Sequence, residues 1–360
     1  MRISALRAPG SEISSARHAA IIVAALLFAW CTNGAAQSGN NPYRVQYGWE
    51  KMPGGRSMGV VSGVFPTPDG EHLWIMERCG ANNCAGSELD PIHLFDLDGN
   101  VVRSLGAGLF AWPHGFDVDD EGNFWVTEGA PAGDARGEPG FSLGMGHQVF
   151  KLSPQGEVLM TLGEAGVAGD DESHFNGPAA VNVSPGGEIW VADGHRNGNN
   201  RIIKFAPDGT FLFAIGGGVG AESKEAARFD DPHDIKMDSQ GRVFVADRGN
   251  NRIQVFSPDG ELLYIWTQFG KPSGLFIDRN DMLYVSDGLS GVERPGWRAN
   301  FGWERGIRIG SAATGWVEHF ILDAAVPDGS GVEFLATDYN GNIYAGEVGK
   351  QRLAVYVKTR

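Results

Sequence analysis

Residues 228–256 read RFDDPHDIKMDSQGRVFVADRGNNRIQVF. A Pro-His pair opens an alternating stretch, Gly241 marks a turn, and RVFVAD is a β-branched, aromatic run closed by Asp247. After GNN, RIQVF has the composition of a further strand. Short strands separated by Gly and Asn turns predict antiparallel hairpins and exclude an amphipathic helix.

The same unit recurs along the chain. Second strands end in an acid six times: Glu77 (HLWIME), Glu128 (NFWVTE), Asp193 (EIWVAD), Asp247 (RVFVAD), Asp287 (MLYVSD) and Glu347 (NIYAGE). Third strands follow as IHLFDL, HQVFKL, RIIKFA, RIQVFS and RLAVYV, with GIRIGS as a less regular fifth-unit counterpart. The shortest interval between acids is 40 residues, within the length of a four-stranded propeller blade. Six units predict an all-β fold, a six-bladed β-propeller of four-stranded blades. RLAVYV is followed by no fourth strand, and YRVQYGW (43–49) alternates correctly to complete that last blade. Such a clasp covers edges that would otherwise be open. Gly/Asp-rich insertions are expected at 129–146, 164–175, 217–229 and 288–305.

Composition agrees with this reading. Among 360 residues there are 53 Gly, 20 Phe and 10 Trp, a β-rich balance. Arg2, Arg7 and Arg17 precede an apolar run from Ala19 to Trp30 and then CTNGAAQ. Residues 1–36 therefore read as a secretory signal, with residues 37–360 forming the propeller. The run is short for a bilayer span, so no membrane association is expected after cleavage, and a secreted or periplasmic location follows. With net charge −15, the chain lacks the basic surface that nucleic acid requires. It is expected to act as a monomer. In an oxidising compartment Cys79 and Cys84 are expected to close a small disulfide loop; a pair of metal ligands is the alternative reading.

One register of the repeat carries chemistry. His114, His233 and Glu333 each lie eight residues before the turn glycine of their unit (Gly122, Gly241, Gly341). The intervening units place Ser62, Ala179 and Ser273 there, with Asp281 replacing the turn glycine once. In a closed six-blade ring these alternate units would bring two histidines and a carboxylate to one axis. That set fits a zinc with an open coordination position, and equally non-haem Fe(II). Arg78, His195 and Arg248 follow the second-strand acids, so the topology puts them at the same mouth. Arg78 suits a carboxylate clamp held by the Cys79–Cys84 loop. His195 suits a general base or acid, or a plain loop histidine. Arg248 reads as part of the repeat, as do Arg201, Arg252 and Arg352. His147 is a weaker candidate, and Trp112, Trp297 and Trp303 read as packing between blades.

The segments G-x-[IV]-[WFY]-V-[AS]-D and N-R-I-x-x-F resemble the NHL repeat. More narrowly, LFAWPHGFDVDDEGNFWVTE, FNGPAAVNVSPGGEIWVADG, the 228–256 stretch and the Arg of IMERCG resemble the peptidyl-α-hydroxyglycine α-amidating lyases and their bacterial relatives. The resemblance covers essentially the whole chain after residue 36. It implies a zinc held on the propeller axis by histidines, an Arg for the substrate carboxylate, a Tyr base, and cleavage of a peptidyl-α-hydroxyglycine to an amide and glyoxylate. His114 and His233 match two zinc ligands, and Arg78 matches the clamp. Glu333 stands in place of the third ligand histidine, and His195 in place of the tyrosine. Phe334 occupies the position of an Asp that serves a structural calcium, so calcium is not expected. The resemblance implies a small-molecule or peptide substrate bearing a carboxylate. A metal-dependent lactone or ester hydrolase and a non-catalytic binding scaffold remain as other readings.

Overall fold

A computed structural model describes residues 41–129, 144–196, 198–218, 224–291, 300–323 and 331–359. The expected signal segment, most of the 129–146 insertion, part of 217–229 and Trp297 lie outside the described residues. Pro42 to Arg360 form one compact unit.

Six four-stranded antiparallel sheets are present. The first blade runs Val61–Pro66, His72–Glu77, Ile92–Asp96 and Val101–Leu105, innermost strand first. The fourth, typical of the rest, runs Pro232–Met237, Val243–Asp247, Arg252–Phe256 and Leu262–Trp266. Gly306–Ser311 supplies the third strand of the fifth blade. In the last blade Tyr43–Tyr47 pairs antiparallel with Arg352–Lys358, with Tyr43 opposite Lys358 and Tyr47 opposite Ala354. The strand from the start of the chain thus completes the sheet built from its end, as the alternation of YRVQYGW predicts.

The inner hairpin turns need a left-handed residue. Gly122, Gly187, Gly241 and Gly341 adopt φ of 80°, 84°, 76° and 80°. Asp281 takes the same conformation at φ 57°, which a short polar side chain tolerates better than a branched one. Apolar contacts run between adjacent blades: Met76 and Ile92 of the first pack with Phe124 and Val126 of the second, and Leu353 and Tyr344 of the last pack with Leu73 and Phe95 of the first.

Each second-strand acid is fully buried. Asp247 accepts the backbone N–H of Asp230 at 2.8 Å and Arg252 Nε at 2.6 Å. Asp193 does the same with Asn176 N–H and Arg201 Nε, at 2.8 and 2.9 Å. Glu128 accepts the N–H groups of Ala111 and Trp112. Arg201 and Arg252 therefore brace the second-strand acids of their own blades, where the repeat predicts supports between blades. Removing one partner of such a pair strands the other charge. Asp247→Ala should lower stability by about 3–5 kcal/mol, visible as a lower melting temperature. Deleting residues 43–47 should also lower it and promote aggregation, because the edge of Arg352–Lys358 is then uncovered.

Candidate active site on the propeller axis

The register that carries His114 and His233 coincides with a β-bulge. In the pairing of inner and second strands, Pro232 faces Asp247 and Asp234 faces Ala246, leaving His233 as the extra residue. The same offset isolates Ser62, Ala179 and Glu333. In the second blade the extra residue falls at His114-Gly115. A bulge frees its side chain from the sheet's alternation. Gly115 permits the next blade to approach, since a Cβ there would sit 2.6 Å from the carbonyl oxygen of Ala179.

That approach orients the histidine. His114 Nδ1 lies 2.7 Å from the Ala179 carbonyl oxygen, and His233 Nδ1 lies 2.9 Å from that of Ser273. A carbonyl only accepts, so each Nδ1 carries a proton and Nε2 is the ring nitrogen left for another partner. The small residues between the histidine blades thus fix the tautomers through their backbones. Both Nε2 atoms are buried without a hydrogen bond of acceptable geometry. Buried ring nitrogens left in this way fit a metal ion.

Ring nitrogens of His114, His195 and His233 all lie within 4.8 Å of one another. His195, which the sequence placed only at the mouth, therefore joins the axial cluster. Its ring centroid is 4.6 Å from that of His114 and 4.9 Å from that of His233. Glu333 Oε1 stands 3.1 Å from His233 Nε2. Two donors on a tetrahedral zinc, each at about 2.0–2.1 Å, are separated by about 3.3 Å, so this pair also fits a shared metal. Phe334 packs on the rings of His114 and His233 at 5.3 and 5.5 Å.

Charge in the site is tightly organised. Arg248 is fully buried; its Nε donates to Asp231 Oδ2 at 2.8 Å and its Nη1 to Glu333 Oε1 at 3.2 Å. Asp231 Oδ1 in turn lies 3.0 Å from His195 Nδ1. Burial opposes ionisation of Glu333, but His233, Arg248 and Arg78 outweigh it and hold the carboxyl well below the usual range. Burial lowers His195 to about 4, with Asp231 pulling the other way and Arg248 and His233 reinforcing the shift. Burial likewise pushes His114 far down, helped by His195, His233 and Arg78. His114 and His195 are therefore neutral imidazoles near pH 7, the form that donates a lone pair.

Arg78 lies beside this cluster. Its Nε donates to the Pro113 carbonyl at 3.0 Å and its Nη1 to Asn82 Oδ1 at 2.8 Å. Its Nη2 is buried with no hydrogen-bond partner. The guanidinium sits 4.2 Å above the Trp112 ring, and Trp112 stacks on His195 at 5.4 Å with an 11° interplanar angle. Burial brings Arg78 down to about 10, which leaves it charged at neutral pH. The Cys79–Cys84 disulfide closes the adjoining loop.

Two residues take a larger part in the site than the sequence reading gave them. Arg248 belongs to the axial network as well as to the repeat, and Trp112 packs on site residues rather than only between blades. Asp231 was not singled out at all; the signal was an acid directly before the Pro-His pair. His147 accepts the Gly177 N–H at 3.3 Å and is not in the ring-nitrogen cluster. Phe301 and Trp303 are the described aromatics of the 288–305 insertion, and Trp303 carries the Arg308 guanidinium at 4.9 Å.

The NHL repeat profile matches residues 175–205 and 229–256, in the third and fourth blades. The chain is 39% identical over 217 residues to peptidyl-glycine alpha-amidating monooxygenase B of Xenopus laevis, which covers 55% of this chain and 23% of that protein. It is 29% identical over 214 residues to peptidyl-alpha-hydroxyglycine alpha-amidating lyase 2 of Drosophila melanogaster, covering 55% and 47%. It is also 33% identical over 255 residues to human NHL repeat-containing protein 3, covering 68% and 66%. The match thus spans less than half the length of these monooxygenase and lyase relatives. Among solved structures, a streptogramin B lyase superposes with TM-score 0.53 at 14% identity, covering 88% of this chain and 97% of that one. A gluconolactonase of Xanthomonas campestris superposes with TM-score 0.56 at 15% identity, covering 89% and 91%. At such identities these two establish the propeller fold alone. The chain is an NHL-repeat six-bladed β-propeller, homologous to the peptidyl-α-hydroxyglycine α-amidating lyases.

Proposed function

We propose that this protein is a metal-dependent lyase that cleaves the C–N bond of an N-acyl-α-hydroxyglycine to an amide and glyoxylate. The carrying observation is the pair of buried, carbonyl-locked histidines whose Nε2 atoms make no hydrogen bond of acceptable geometry, His233 Nε2 facing Glu333, set beside a buried arginine with one unpartnered Nη2. His114, His233 and Glu333 would hold the metal. Bound there, zinc or Fe(II) supplies a Lewis acid for the substrate's hydroxyl oxygen.

The chain's own residues divide the remaining work. Arg78 Nη2 takes the substrate carboxylate in a charge-assisted hydrogen bond, and Trp112 holds that guanidinium in place. With its Nδ1 proton on Asp231, and Arg248 Nη2 3.1 Å from the same nitrogen, His195 would offer Nε2 to the hydroxyl proton. As the carbonyl of glyoxylate forms and the C–N bond breaks, the same proton passes to the departing amide nitrogen. Arg248 holds Asp231 and Glu333 in register, which fixes His195 and the carboxylate together.

A metal-dependent lactone or ester hydrolase is a second reading, favoured by the carboxylate at the axis; it gives Arg78 no role. We also propose secretion, with residues 1–36 as the signal; the Cys79–Cys84 disulfide supports an oxidising compartment.

Metal analysis tests the centre. Wild type should carry about one zinc or iron per chain, as a single three-ligand site with an open position holds. His114→Ala, His233→Ala and Glu333→Ala should lose it, whereas His195→Ala should retain metal and lose turnover. Loss of metal from His195→Ala would instead make His195 a ligand. For the chemistry, N-benzoyl-α-hydroxyglycine should yield benzamide and glyoxylate. Arg78→Ala should reduce kcat/KM by about 100-fold or more, the scale of a buried charged contact, with Arg78→Lys recovering part. Unchanged turnover in Arg78→Ala would remove the clamp from the mechanism.

A further inference from the structure

A pocket of about 370 Å³ opens on the face opposite the histidines, where the fifth, sixth and first blades meet. The strand Val332–Thr337 relates the two sites. Glu333 stands near its start, and Thr337, four residues on, lines the pocket, about 13 Å away at the rise of an extended strand. The volume falls within the range of small-molecule sites, roughly 300–1,000 Å³. It belongs to no step of the chemistry on the axis.

The walls and the rim differ in character. Phe65, Phe276 and Ile277 supply apolar surface, each only partly covered by its neighbours. Two acids also line it, and both are committed to their own turns. Asp278 Oδ1 accepts the N–H groups of Asn280 and Met282 at 2.8 and 3.0 Å. Asp338 accepts the N–H groups of Asn340 and Asn342 through Oδ1, and Asn342 Nδ2 through Oδ2.

The cations of the pocket are not so committed. Arg279 stacks over the Tyr339 ring at 4.3 Å, and Tyr339 is anchored by donating its hydroxyl to the Pro68 carbonyl at 3.2 Å. This stacking holds the guanidinium flat and leaves its edge for a planar anion. Lys358 completes the rim. Among the described residues neither Arg279 nor Lys358 forms an ion pair with a carboxylate, Arg279 being stacked on Tyr339 and Lys358 placed at the rim, although the chain carries net charge −15. Two cations at the rim, beside an apolar wall and two carboxylates held in their own turns, give the pocket a definite chemical complement.

We infer that this pocket binds a small organic carboxylate with an aromatic ring. The ring packs on Phe65, Phe276 and Ile277, and the carboxylate meets Arg279 and Lys358. The inference stands on residues separate from the axial site and does not depend on the proposed reaction.

Isothermal titration of the full chain with 3-phenylpropionate tests it, using Arg78→Ala protein so that the axial clamp contributes nothing. One saturable site is expected, with 3-phenylpropanamide binding at least about tenfold more weakly, the scale of one lost charged contact. The double substitution Arg279→Ala, Lys358→Ala should weaken the carboxylate by a similar factor; both side chains are exposed, so the variant is expected to fold. Tyr339→Ala should weaken it less. Absence of saturable binding, equal affinity for the amide, or unchanged affinity in the double variant would each overturn the inference.

Discussion

A buried carboxylate closes the second strand of every blade, and the rest of the molecule is arranged around it. Glu77, Glu128, Asp193, Asp247, Asp287 and Glu347 are all fully buried. A carboxylate removed from water is stable only if hydrogen bonds replace its hydration. In the first five blades the replacements include backbone N–H groups of the segment entering the same blade, and in the third, fourth and sixth an arginine at the start of the third strand binds the acid. The acid thereby ties the approach to the inner strand to the two strands beyond it. This tie sets where the inner strand begins.

The geometry of the candidate site inherits that placement. One residue past the start of the inner strand comes the bulge, and the bulged side chain is the one freed to meet its counterparts at the axis. Neighbouring blades then orient it by backbone alone: the carbonyls of Ala179 and Ser273 fix the tautomers of His114 and His233. Small residues in the intervening blades leave the axis to the histidines and also bring those carbonyls close. Asp231, immediately before the bulge in the fourth blade, and Arg248, immediately after the buried acid, use the same two fixed points to connect His195 with Glu333.

Repetition made most of this legible. Six acids at the ends of six aromatic runs, five turn glycines and one Asp281 gave the blade count, and an orphan strand within 43–49 gave the closure. The shared register gave His114, His233 and Glu333 as a set. The remaining features escaped for a common reason. Arg248 has the same sequence neighbourhood as a structural repeat residue, and Trp112 that of a packing aromatic. Whether such residues face a neighbouring blade or the axis depends on contacts between blades far apart in sequence. Asp231 and His195 are 36 residues apart and meet only when the third and fourth blades dock.

Alternation, turn residues and the period of the acids determine strand, hairpin and blade, because these depend on interactions within a few tens of residues. They also determine which chemistry-bearing residues share a register. What only the tertiary structure decided is the company those residues keep: His195 inside the histidine cluster, Glu333 held between His233 and Arg248, and Arg78 left with one unpartnered nitrogen. Ring closure brings these groups together, and burial then sets their charge states, since the desolvation and the neighbouring charges that shift a pKa exist only once the blades have closed.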